Sequence, residues 1–187
     1  MNRYEQLLKL IDIFQPQSIA EIGTWNGKNA IRMIKQAKAH NDNVIYLGYD
    51  LFEDANDTTD KEELNVKPHY PVETVRQEIE RGSGATEVNL VKGNTRETLK
   101  PISADFCFID GGHSLQTIAS DYENCKYSTV IVLDDYYVPD EAGNMPDTNL
   151  YGCNKLVAGM KNAIILPVKD PVKGGGYTQI VLVLGDK

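Results

Sequence analysis

The chain has 187 residues, with 27 Asp and Glu against 19 Lys and Arg, a net charge of −8 and a pI near 4.9. That acidity argues against a nucleic-acid backbone as partner, since phosphate binding needs clustered Lys and Arg. No apolar run approaches the length of a membrane span, and Met1 to Gln6 carries no signal-peptide core, so a cytoplasmic protein without a membrane partner is expected. Cys107, Cys125 and Cys153 are odd in number and form no CxxC pair. They read as small buried residues in a reducing compartment.

The length suits a single domain, residues 1–187, with a helix in 1–15 and the main body in 16–187. Tyr4, Leu7, Leu8, Ile11 and Phe14 repeat at helical spacing, and Pro16 ends the run. A first buried strand is predicted over 18–22, a helix over 27–39 and a second strand over 44–49, followed by Asp50. Residues 53–63 are acidic and almost free of apolar side chains, which predicts a solvated loop. Asp54, Asn56, Thr58 and Asp60 imitate the start of a calcium loop. Thr59 stands where that loop requires Gly, and Asn65 where it requires the closing Glu.

A helix follows over 72–80 and a strand over 88–91, then Gly93-Asn94. The second half alternates strand 105–109, helix 115–125 and strand 129–133. A polar loop over 136–148 and a helix over 150–160 lead to strands at 163–168 and 177–184, joined through Gly174-Gly175-Gly176. This order predicts an α/β fold: a doubly wound sheet of seven strands, mostly parallel, closing with an antiparallel hairpin. The segments 53–71 and 136–148 follow strand tips, are polar and are long, and are expected to rim a pocket.

Ligands of open α/β sheets bind beyond the carboxyl ends of the strands. Three predicted tips carry polar groups. The first is Glu21-Ile22-Gly23-Thr24-Trp25-Asn26-Gly27. Its glycines allow a sharp turn and a close ligand approach. Trp25 stands where a dinucleotide fingerprint has its middle glycine, which weakens a nicotinamide-cofactor reading. Asp50 ends the second strand, where an acid can accept protons from both ribose hydroxyls. Glu21 either supports the turn from below or faces a ligand ammonium. The competing reading is a plain strand-to-helix turn.

The other tips are Phe108-Ile109-Asp110-Gly111-Gly112-His113 and Val132-Leu133-Asp134-Asp135. Three carboxylates and an imidazole suit a hard cation such as Mg²⁺, which takes oxygen ligands, and His113 can accept a proton near neutral pH. Taken singly, Asp110 reads equally as a helix cap, Asp134-Asp135 as a solvated strand end and His113 as a surface histidine. Their joint occurrence at neighbouring tips favours a site.

These stretches resemble the class I S-adenosylmethionine-dependent methyltransferases, whose sheet is Rossmann-like with three layers. Residues 21–27 resemble that family's first motif, and the resemblance runs from about Ser18 onward. Ile109 to Ser114 and Leu133 to Tyr136 resemble the macrocin/mycinamicin O-methyltransferase branch. The resemblance implies cofactor contacts at Glu21, Gly23, Thr24, Trp25, Gly27, Asp50, Gly93, Asn94 and Asp110. It also implies Mg²⁺ or Mn²⁺ on Asp110, Asp134 and Asp135, with His113 as the base. The implied reaction is O-methylation of a hydroxylated small molecule, a sugar or natural product. The oligomeric state stays open, a homodimer being one option. That branch tends to have longer N-terminal parts, which leaves the acceptor undefined. A non-catalytic nucleoside-binding module and a nucleotide-dependent oxidoreductase are the alternatives.

Overall fold

A computed structural model describes residues 1–185. The body expected over 16–187 therefore extends two residues beyond the described part. The strands are β1 (Ser18–Ile22), β2 (Ile45–Asp50), β3 (Glu87–Lys92), β4 (Phe106–Ile109), β5 (Val130–Val138), β6 (Ala163–Ile165), β7 (Asp170–Pro171) and β8 (Tyr177–Leu184). The helices are α1 (Arg3–Phe14), α2 (Lys28–Lys38), α3 (Asp57–Glu62), α4 (Val72–Ser83), α5 (Thr95–Thr98), α6 (Leu115–Cys125) and α7 (Cys153–Ala158).

The sheet order is β3-β2-β1-β4-β5-β8-β6. Strands β1 to β5 pair in parallel. Strand β8 inserts between β5 and β6 and runs antiparallel to both, which is the expected reversed close. The sheet has eight strands rather than seven, because the two-residue β7 also pairs with β8. The winding direction reverses between β1 and β4, and such a switch point opens a crevice at the strand ends.

Strand alternation divides the core into two layers. Ile19, Phe106, Phe108, Val130 and Val132 face the layer completed by Leu7, Ile11, Met33, Ile34, Val75 and Ile79 of α1, α2 and α4. Ala20, Ile22, Cys107, Ile109, Ile131 and Leu133 face the layer completed by Ile118 and Cys125 of α6 and Val157 of α7. All three cysteines are buried and unbridged. Among the described residues, no helix is long and apolar enough to cross a membrane.

Several expectations are corrected by local chemistry. Residues 53–63 are not a plain loop: a 3₁₀ turn covers Phe52–Asp54, and α3 starts on Asn56, whose side chain forms a capping box with Thr59. Caps rather than an apolar stripe stabilise this helix. Asp60, offered above as a calcium-loop residue, instead pairs with His69. Strand β5 continues past Asp134-Asp135 to Val138, with a register shift between Leu133 and Tyr136 and Asp135 at φ +59°. Helix α7 is shorter than the predicted 150–160, and β6 ends at Ile165 rather than Val168.

Candidate active site

The crevice beyond β1, β2, β3 and β4 is a cleft of about 490 Å³, within the ~300–1,000 Å³ usual for small-molecule sites. At its centre β1 gives way to a tight turn. The amides of Gly23 and Thr24 both donate to the Tyr49 carbonyl, at 2.8 and 3.3 Å. Gly23 has φ +93°, and a Cβ there would lie 2.2 Å from the Asp110 carbonyl oxygen, so only glycine lets the β1 and β4 tips come this close. Asp50 organises the turn. Its Oδ2 accepts from the Trp25 amide at 2.7 Å and its Oδ1 from the Phe52 amide at 3.0 Å.

Of the residues expected at a cofactor, Gly23, Thr24, Trp25, Asp50, Gly93, Asn94 and Asp110 line this cleft. Glu21 and Gly27 are not among its lining residues. Glu21 shares the sheet face of Ile19 and is buried, where its carboxylate accepts from the Tyr46 hydroxyl. That hydroxyl also pairs with Thr24 Oγ1 at 3.2 Å. Burial pushes the Glu21 carboxyl up to about 8, against the pull of the Tyr46 hydrogen bond. Glu21 thus supports the turn from beneath. Gly27 has φ +75° and precedes α2; a Cβ there would meet Ile79 at 2.7 Å, so its role is packing.

The acids gather at the other end of the cleft. Consecutive residues of a regular strand face opposite sides. The bulge in β5 breaks that rule and brings both Asp134 and Asp135 to a small cavity shared with Asp110 and His113. Arg3 Nε donates to Asp134 Oδ1 and Oδ2 at 2.8 and 3.1 Å, and Arg3 Nη1 donates to Asp170 at 3.2 Å. The Tyr4 hydroxyl stands 3.4 Å from Asp110 Oδ2 and 3.3 Å from Asp134 Oδ2. His113 Nε2 lies 2.8 Å from Asp135 Oδ2, and its Nδ1 lies 2.7 Å from the Glu63 carbonyl. Tyr151 packs edge-on against the imidazole at 5.6 Å.

The charges sort accordingly. Burial holds Asp110 well above the usual carboxylate range, and Asp134 and Asp135 push it further. Burial and Asp135 raise Asp134, against the opposing pull of Arg3. Burial also works upward on Asp135, but the His113 hydrogen bond and charge bring it below its ordinary value. Burial would lower His113, yet Asp135 and the Glu63 carbonyl outweigh it and the imidazole is raised. Both ring nitrogens face acceptors, so this geometry suits the doubly protonated imidazolium. While Asp135 holds Nε2 and the Glu63 carbonyl holds Nδ1, His113 offers no free lone pair.

The three acids expected at a metal do meet, but they do not fit Mg²⁺ or Mn²⁺ as arranged. Among the described residues, no group of three His, Cys, Asp or Glu is placed to hold an ion. Both Asp134 oxygens are engaged by a guanidinium and an Asp135 oxygen by an imidazole.

Arg3 and Tyr4 were not legible as site residues, because the α1 pattern marks only the face that packs on the core. Part of the segment expected to rim a pocket, 53–71, lines the cleft, and its anchoring contacts are what the sequence does not signal. Glu63 Oε2 accepts from the Ser114 amide at 2.9 Å and Oε1 from Thr117 Oγ1 at 2.5 Å. Trp25 Nε1 donates to the Pro68 carbonyl at 2.8 Å, and Lys67 Nζ sits 5.2 Å above the Trp25 ring. Residues 57–70 therefore close over the cleft as a latched flap. Asn56 and Thr59 signal its helix, but nothing local signals where Glu63 lands.

A family model described as a methyltransferase domain matches residues 20–136, more than half of the chain. No curated protein matches the sequence. Among solved structures, the chain resembles the O-methyltransferase TomG from Streptomyces achromogenes, involved in tomaymycin synthesis and solved with S-adenosylmethionine. The TM-score is 0.62 at 14% identity, over 98% of this chain and 79% of that one. It also resembles an O-methyltransferase from Bacillus cereus solved with S-adenosylhomocysteine, with TM-score 0.58 and 19% identity over 97% and 80%. A third is the S-adenosylhomocysteine-bound methyltransferase PaMTH1 from Podospora anserina, with TM-score 0.58 and 15% identity over 98% and 78%. At such identities the likeness is one of fold, and it is the family match across β1 to β5 that places the sequence: the chain belongs to the methyltransferase domain family, with the class I fold.

Proposed function

We propose that this protein transfers a methyl group from S-adenosylmethionine to a hydroxyl oxygen of a small molecule, a sugar or other natural product. The observation that carries this reading is one cleft joining a glycine turn and Asp50 at one end to Asp110 and His113 at the other. The solved relatives bound to S-adenosylmethionine or its demethylated product support the donor. The acidic composition supports an acceptor without nucleic-acid or membrane character, in keeping with a cytoplasmic enzyme.

The donor, when bound, supplies a methyl group already activated on a sulfonium. The protein's task is then alignment and deprotonation. Asp50 spends one hydrogen bond from each oxygen on backbone amides, which leaves each oxygen a lone pair for a ribose hydroxyl. Gly23 and Gly93 keep side-chain bulk out of the cleft. The proton is handled by the His113–Asp135 pair as one coupled unit. Once the pair has lost a proton, His113 keeps Nδ1–H on the Glu63 carbonyl and Nε2 is free to accept. An acceptor hydroxyl that displaced Asp135 from Nε2 would give its proton to Nε2, with Asp135 still near enough to stabilise the imidazolium; bound S-adenosylmethionine would supply the methyl group, its C–S bonding electrons leaving with the sulfur of S-adenosylhomocysteine. Mg²⁺ or Mn²⁺ on Asp110, Asp134 and Asp135, as the sequence suggests, would compete with Arg3 for Asp134, and this reading does not need it.

The test is calorimetry with S-adenosylmethionine, followed by a methyl-transfer screen over sugars and phenols. Asp50→Ala is expected to weaken donor binding on the order of tenfold or more, since hydrogen bonds to charged groups contribute roughly 1.5–3 kcal/mol. His113→Ala is expected to bind the donor normally and to turn over roughly 10²–10⁴-fold more slowly. Donor binding by the parent with no transfer to any hydroxyl would favour the non-catalytic module. Unchanged binding by Asp50→Ala, or full rate from His113→Ala, would reject the assigned roles.

A further inference from the structure

We infer that Arg3 is the resident cation of the acid cluster, standing where a divalent ion would otherwise stand, so that the acceptor end of the cleft works without a metal. This deepens the methyl-transfer reading and rests on its acceptor site. The placement of Arg3 is built. Asn2 and Glu5 form a capping box that sets the first turn of α1, and Leu7, Leu10 and Ile11 anchor that helix in the core. From this base all three guanidinium nitrogens find partners: Nε on both oxygens of Asp134, Nη1 on Asp170, and Nη2 on the Tyr4 hydroxyl at 3.1 Å. The Arg3 amide also donates to Asp170 at 3.1 Å. Asp170 is in position because β7 pairs with β8, so the extra strand contributes directly to the cluster.

A guanidinium differs from a bystander lysine here. It never deprotonates, and its planar fork satisfies a carboxylate on both oxygens. The Tyr4 hydroxyl bridges Asp110 and Asp134, so α1 spans two of the three acids that a metal would need. A divalent ion on Asp134 would have to displace Arg3 or sit against a fixed positive charge, and at contact distance that repulsion is large in a partly buried site. Arginine and metal are therefore alternatives.

The experiment measures Mn²⁺ binding by electron paramagnetic resonance and calorimetry, beside donor binding, on the parent, Arg3→Gln and Arg3→Gln/Asp134→Asn. The parent is expected to bind no stoichiometric Mn²⁺ at millimolar concentration and to keep its melting temperature in EDTA. Arg3→Gln is expected to gain a single Mn²⁺ site that raises its melting temperature, and the double variant to lose it. If Arg3→Gln fails to fold, Arg3→Lys, which keeps the charge without the fork, is expected to fold and still to exclude Mn²⁺. Stoichiometric Mn²⁺ on the parent, no gain of a site in folded Arg3→Gln, or stoichiometric Mn²⁺ on Arg3→Lys would each overturn the inference. Donor binding separates the two ideas: a parent that ignores both donor and Mn²⁺ defeats the methyl-transfer reading, whereas a parent that binds both defeats only the role of Arg3.

Discussion

Gly23→Ala tests whether the turn after β1 depends on the absence of a side chain. The new Cβ would sit 2.2 Å from the Asp110 carbonyl oxygen, 2.6 Å from its carbon and 2.7 Å from Gly111 Cα, all backbone atoms that cannot rotate away. The φ of +93° adds a conformational cost of about 1–2 kcal/mol for a non-glycine residue, and overpacking adds about 1–3 kcal/mol. The expected loss is thus about 2–5 kcal/mol, a large part of the ~5–15 kcal/mol that holds a typical domain. Gly174 is the internal control: its φ is +100°, yet a Cβ there would meet nothing within 4 Å. Gly174→Ala should show only the conformational part, and the difference between the two variants isolates the close approach of β1 and β4. Urea unfolding followed by circular dichroism measures both. Because relief of the clash must move Asp110, Gly23→Ala should also weaken donor binding, which Gly174→Ala should leave alone. Equal destabilisation by the two substitutions would refute the argument.

Two further outcomes follow from the same geometry. Glu21 has its carboxyl raised from an ordinary 4.5 to about 8 by burial, so folding favours the protonated form. Its contribution is fully present below the ordinary value and is lost as pH rises through about 8, with a slope of at most ~1.4 kcal/mol per pH unit. Glu21→Gln should match the parent near the ordinary carboxyl range and become progressively more stable than it toward about pH 8; parallel denaturation profiles would contradict this. Glu63→Ala removes the side-chain latch onto Ser114 and Thr117, and should speed hydrogen exchange across 57–70 roughly tenfold or more, since each lost bond to a charged group is worth about 1.5–3 kcal/mol. Unchanged exchange over that segment would show that the flap is held by other contacts.

The alternation of strands and helices was legible because hydrophobic periodicity is a local property. The β1 and α6 limits agree with the structure to the residue, and the order of elements led to the parallel sheet with a reversed last strand. Glycine turns and strand-tip acids were legible for a related reason: a doubly wound sheet brings its carboxyl tips together, so Gly23, Asp50, Asp110 and His113 had to converge once the strands were in place. Glu21 and Gly27 lie outside the cleft lining, because motif membership does not say which way a residue faces. Glu21 lies on the α2 side with Tyr46, and Gly27 packs on Ile79.

By itself the sequence determined the fold class, the place of the cleft and the identity of the groups around it, because these follow from local pattern and from the topology that the pattern implies. Tertiary structure alone decided how the groups are paired. A bulge turned Asp134 and Asp135 into one cluster, the backbone carbonyl of Glu63, 50 positions away in sequence, took one nitrogen of His113, and α1 delivered Arg3 across 131 positions to Asp134. Charge pairing is set by distance in space, and no periodicity along the chain encodes which cation arrives at which carboxylate.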